Sequence, residues 1–140
     1  APRRIVLAVD GTAEARATVA WCATTAGQLD AAVTAVCPYR RPRDVPSDAA
    51  HQDFRRVQRA LHDDWTAPLR AAGIETHVEL THAPNLYCAL TDAAKRTDAG
   101  LIVSSAEGEP EHSGDAATRL MHDVHVPIIL VPSPLNEPQP

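Results

Sequence analysis

The chain of 140 residues is long enough for one domain with one sizeable core and too short for two packed domains. Thirteen Lys and Arg against eighteen Asp and Glu leave a net charge of −5, which supplies none of the basic excess that a phosphate-backbone partner requires and so argues against nucleic acid. Cys22, Cys37 and Cys88 are odd in number, widely spaced and set among apolar residues, a pattern that predicts free thiols in a reducing, cytoplasmic compartment rather than a disulfide framework.

Residues 1–30 show no charged start, apolar run and cleavage site in succession, and no apolar stretch is long enough to span a bilayer. Neither a secretion signal nor a membrane partner is expected. The first element is the apolar, β-branched run Ile5 to Val9, stopped by Asp10-Gly11, which predicts a strand buried on both faces. Thr12 is placed to cap a helix over residues 13–29, with Val19, Ala23, Ala26 and Leu29 at helical spacing. "AAVTAVCPY" predicts a second strand closed by Pro38.

Residues 38–50, "PYRRPRDVPSDAA", carry three prolines and three arginines without periodicity and read as a surface loop with solvated arginines. Phe54, Val57, Leu61 and Trp65 then recur at three or four residues, a second helix that Pro68 should kink or restart before Gly73 ends it. Trp65 reads as a core anchor. "IETHVEL" alternates Ile74, Thr76, Val78 and Leu80 with Glu75, His77 and Glu79, the period of a strand with one wet face at a sheet edge.

Pro84 opens a third helix with Leu86, Leu90 and Ala93 inward, "LIV" at 101–103 is a fourth strand, and residues 115–124 form a fourth helix with Leu120 and Val124 inward. "PIILV" between Pro127 and Pro132 is the fifth strand. Strict β/α alternation predicts an α/β fold, a mainly parallel sheet with right-handed crossovers and helices on both faces. Residues 1–132 are read as a single domain. The tail 133–140 is polar, proline-rich and has nothing to bury, which predicts disorder.

In such sheets ligands sit outside the carboxyl ends of strands where the strand order reverses. Asp10-Gly11-Thr12 and the segment after "LIV" both lie at such ends, so a crevice between them is the expected site. For Asp10 two readings stay open, a turn residue bonded to its own backbone and a ligand residue.

"IVLAVDGT", "APNLYCALTDAAKRTDAGLIV" and "GDAATRLMHDVHVPIILVP", in that order and at these separations, resemble the universal stress protein family over about residues 3–132. The resemblance implies a five-stranded, Rossmann-like sheet of order 3-2-1-4-5, like that of the adenine nucleotide alpha hydrolases, and makes Asp10 the acid near a nucleoside. Members that bind ATP share a loop of form Gly-x-x-Gly, a spacer of about nine residues and Gly-Ser or Gly-Thr, whose backbone and hydroxyl hold the phosphates. Here the matching positions fall on Ser105, Gly108 and Gly114-Asp115, with only Glu109 to Ser113 between. The cofactor-binding positions implied by the family are therefore Asp10, Gly11, Thr12, Ser105, Gly108, Gly114 and Asp115, in a degenerate form.

A helix start favours an adjacent anion by about 0.3–1 kcal/mol, and Asp115 already supplies one. Glu107, Glu109 and Glu111 add three more acids, with no Lys or Arg between Arg96 and Arg119. Two like charges at ~4 Å repel by about 1 kcal/mol in water and about 4 kcal/mol at an effective dielectric of about 20. ATP is expected to bind poorly unless a divalent cation bridges.

Three other chemistries use the same residues. Glu107, Glu109, Glu111, His112 and Asp115 offer oxygen ligands for a hard cation, but in no recognisable loop pattern. His122 and His125 share one side of a helix end without a neighbouring cysteine for zinc. Ser104, Ser105 or Ser113 with His112 as base would suit a weak hydrolase, yet no GxSxG elbow surrounds them, and Cys37 lacks a base. The expectation is a non-enzymatic regulatory or interaction module of stress response, without ATP or metal as cofactor, acting on an unidentified protein partner. The resemblance further implies a homodimer joined through Pro127, Ile128, Ile129, Leu130 and Val131, because the 3-2-1-4-5 order makes that strand an edge.

Overall fold

The computed structural model describes residues 3–105 and 125–132. The expected helix over 115–124, the acidic segment with Gly108, Gly114 and Asp115, and the tail 133–140 lie outside the described residues.

The strands β1 (Arg3–Ala8), β2 (Ala31–Pro38), β3 (Thr76–Thr81), β4 (Leu101–Ser105) and β5 (Ile128–Val131) form one sheet of order β3-β2-β1-β4-β5. Every pairing is parallel, with Leu7 opposite Ala35 on one side and Val103 on the other. β1 is central because its side chains suit two buried faces. Ile5, Leu7 and Val9 join one core cluster, and Val6 and Ala8 join the other, as the two-residue period of a strand dictates.

The helices α1 (Ala13–Leu29) and α3 (Ala67–Ala71) cover the first face, where Val19, Cys22, Ala26 and Leu69 meet Ile5, Leu7 and Val33. On the second face lies α4 (Leu86–Thr97), whose Ala89, Leu90 and Ala93 pack on Val6, Val36 and Ile102. Both faces thus carry helices. α1 begins where Thr12 accepts a hydrogen bond from the Ala15 N–H at 3.1 Å, and α1 and α4 end on Asp30 and Asp98, both left-handed at φ 53° and 52°. Aspartate tolerates that conformation better than most residues. Asn85, rather than Pro84, caps α4, accepting from the Cys88 N–H at 2.9 Å.

Two sequence expectations need correction. The surface loop ends earlier than expected, because α2 (Ser47–Ala60) starts within it. Its cap, Pro46, offers no side-chain acceptor and Ala50 is its one buried residue, so neither of the usual start signals is present. The second helix also breaks before Pro68, in a π-helical turn over Leu61–Trp65. There the Thr66 hydroxyl lies 2.7 Å from the Leu61 carbonyl and 3.2 Å from that of His62, and Arg70 donates to Thr66 at 2.8 Å. Pro68 then restarts the helix as α3, near an N-terminus where its missing N–H leaves no bond broken.

The wet face predicted for β3 holds an ion-pair cluster. Arg96 of α4 donates to both Glu79 oxygens at 2.8 and 2.9 Å and to Asp92 at 2.7 Å. At the opposite edge, Leu130 of β5 is 43% exposed.

Candidate functional site

The strand order reverses between β1 and β4, and a crevice opens at the carboxyl ends of these strands. Its volume is about 280 Å³, and it is lined by Asp10 after β1, by Cys37, Tyr39 and Arg40 at the end of β2, and by Ser104 and Ser105 of β4. Asp53, Arg56 and Val57 of α2 form a further wall. The volume lies near the lower bound for small-molecule sites, roughly 300 Å³.

Asp10 holds the turn that leads into α1. One oxygen accepts from the Thr12 N–H at 2.9 Å and from the Thr12 hydroxyl at 2.5 Å. That is the turn reading of this residue, and the same carboxylate also lines the crevice. Ser105 lines it too, whereas Gly11 is needed for a different reason. A Cβ on Gly11 would stand 2.8 Å from Cζ2 of Trp65. The half-buried Trp65, delivered by the π-helical turn and packed against the core, therefore closes over the Asp10 turn. Gly11→Ala is expected to destabilise by about 1–3 kcal/mol, the usual range for overpacking. Urea denaturation should show the cost shrinking in a Trp65→Phe background, and a neutral Gly11→Ala would contradict this packing.

Cys37 is 5% exposed, and burial first, then the Asp10 charge, push its thiol up to about 12. At neutral pH it holds its proton and is not a nucleophile. All three cysteines are free. Among the described residues no group of three or more His, Cys, Asp or Glu is arranged to hold a metal ion, and no helix is long and apolar enough to cross a membrane.

Sequence reasoning missed the α2 wall. The Tyr39 hydroxyl donates to Asp53 Oδ2 at 2.8 Å, and Arg56 Nη2 donates to Asp53 Oδ1 at 2.7 Å. The Arg56 bond, then the Tyr39 bond, hold the Asp53 carboxyl below its ordinary range. Desolvation and the bond to Asp53 push the Tyr39 phenol upward. Behind them Tyr39 meets Phe54 edge-on at 4.9 Å, and Phe54 stacks on His82 at 5.2 Å. The available signal was an Asp and an Arg at i and i+3 facing a strand-end tyrosine.

A search of the curated proteins gives no match to this chain. Among solved structures, a universal stress protein family member from Burkholderia pseudomallei is 22% identical, with 92% of this chain and 95% of that one covered and a TM-score of 0.71. The universal stress protein from Archaeoglobus fulgidus is 20% identical over 92% of this chain and 93% of that one, with a TM-score of 0.68. The structure of the universal stress protein from Archaeoglobus fulgidus in complex with dAMP is 19% identical over 92% and 97% of the two chains, with a TM-score of 0.62. At these identities the likeness carries the fold alone. The profile of the Universal stress protein family matches residues 2–132, and on that match the chain belongs to the universal stress protein family.

Proposed function

We propose that this chain is a non-enzymatic regulatory module whose crevice does not hold ATP and which acts through contacts with other proteins. The observation that carries this reading is the makeup of the crevice. Its described lining has two serines but no His or Lys to activate them, and its one thiol is pushed up to about 12. General acid–base or nucleophilic catalysis needs a group poised near the working pH. In sequence, the segment after Ser105 carries Glu107, Glu109, Glu111 and Asp115 at the positions that match the phosphate loop of ATP-binding family members, and like charge there disfavours a triphosphate. Incubation with ATP followed by desalting is expected to leave no retained nucleotide and no ADP, and either product would overturn the reading.

A second reading concerns a smaller ligand. The crevice volume and the dAMP complex of the Archaeoglobus fulgidus relative support a mononucleotide-sized occupant. The three free thiols fit a reducing, cytoplasmic setting. The exposed Leu130 on the edge strand β5 fits a homodimer made by pairing that strand across a two-fold axis. Light scattering should give a dimer for the native chain and a monomer for Ile129→Pro, which removes a ladder donor; a native monomer, or a dimeric Ile129→Pro, rejects that interface.

A further inference from the structure

We propose that the crevice receives a small hydroxylated phosphomonoester with its phosphate on the α2 rim, at Arg56 and Arg40, rather than at the segment that follows β4. This rests on the mononucleotide-sized reading of the crevice given above, and adds to it where the anion lies and which residues bind it.

Charge is distributed unevenly along the chain. Residues 40–59 contain six arginines and three aspartates, whereas the remaining positions hold seven Lys and Arg against fifteen Asp and Glu. The one basic stretch of an acidic protein therefore forms the loop and helix along one wall of the crevice. Arg40 and Arg56 are the two members of it that line the cavity. A phosphate placed near Glu107, Glu109, Glu111 and Asp115 would meet like charge, and the same phosphate on the α2 rim would meet opposite charge.

Arg56 is also held in place. Its bond to Asp53 is fixed from behind by the Tyr39 hydroxyl, and Tyr39 is braced by Phe54 and His82. The Asp53 side chain is only 23% exposed, while that of Arg56 is 68% exposed. The acid is thus tucked behind the guanidinium, which retains further N–H donors of its planar fork for a ligand. Holding a long side chain before binding lowers the ordering cost of the complex. Arginine donors in this fork geometry match the oxygens of a phosphate. Across the crevice, Asp10 is an acceptor suited to a ligand hydroxyl.

The test is calorimetric titration with AMP, adenosine and inorganic phosphate at low salt, against the full chain and its variants Arg56→Gln, Arg56→Lys and Arg40→Gln/Arg56→Gln. AMP should bind about tenfold or more tightly than adenosine, since a charge-assisted contact to the phosphate is lost in the nucleoside. Arg56→Gln should weaken AMP by about tenfold and leave adenosine unchanged, with Arg56→Lys between, because lysine keeps the charge but not the fork. The double variant should abolish the preference for AMP over adenosine. If the double variant binds AMP as the native chain does, the phosphate lies elsewhere and the crevice reading survives without this anchor. If the native chain binds neither AMP nor adenosine, the crevice reading fails and the anchor fails with it. An increase of AMP affinity in Asp115→Ser, with no loss in Arg56→Gln, would place the phosphate beside the acidic segment and overturn the proposal.

Discussion

Leu61→Ala lowers the free energy of unfolding by about 2–5 kcal/mol, the range for a buried leucine reduced to alanine. Leu61 is 0% exposed, begins the π-helical turn and packs in the cluster that includes Val19, Cys22 and Leu69. Its backbone is fixed as well, because its carbonyl accepts from the Thr66 hydroxyl, which itself accepts from Arg70. A cavity beneath a pinned turn cannot relax by letting the chain sink into it, so the cost falls in the upper half of the range. Against a domain stability of about 5–15 kcal/mol this is a large fraction. The same turn carries Trp65 onto Gly11, so the Asp10 turn should loosen with it. Urea denaturation of Leu61→Ala beside Arg59→Ala measures this. The exposed arginine should change stability by about 0.5 kcal/mol or less, and a similarly small effect at Leu61 would contradict the packing described.

Stability is expected to fall above pH 9, with Cys22 as one cause. The thiol is 0% exposed, and burial pushes it from its ordinary 9.0 up to about 12. Between those values the unfolded chain releases the proton and the native chain keeps it. The contribution is therefore complete below pH 9 and is lost as pH rises towards 12, at about 1.4 kcal/mol per pH unit. Over the whole window the loss approaches ~4 kcal/mol. Cys37 titrates in the same sense, with Asp10 adding to the effect of burial. Urea denaturation at successive pH values from 8 to 11 should show a shallower decline for Cys22→Ala than for the native chain. Parallel declines would mean that the native thiol ionises as readily as the unfolded one.

The parts of the fold that were legible in the sequence are those written in local pattern. The run Ile5 to Val9 marks the central strand because both faces of it need apolar side chains. The helix expected over 13–29 matches α1 because Thr12 and Asp30, at its two ends, make the capping contacts. The alternation of "IETHVEL" marked an edge because one face of it leaves His77 exposed and gives Glu79 to Arg96. What escaped the reading depends on partners distant in sequence. Gly11 looks like an ordinary turn glycine until Trp65 is brought onto it. The Tyr39–Asp53–Arg56 arrangement joins the end of a strand to the middle of a helix. Asp53 and Arg56 alone resemble any exposed i,i+3 pair, which is usually worth little. The start of α2 was hidden because one buried alanine makes no apolar stripe. Asp10 and Ser105, found by following strand ends, line the crevice, whereas the α2 wall has no such local signal.

On the reading proposed here, the crevice takes a mononucleotide-sized anion and does not hold ATP. Calorimetric titration of the full chain with ATP and with AMP, side by side and without divalent cation, tests it most directly. Saturable heat is expected with AMP and none with ATP up to millimolar concentration. Saturable ATP binding in the micromolar range without metal would contradict it.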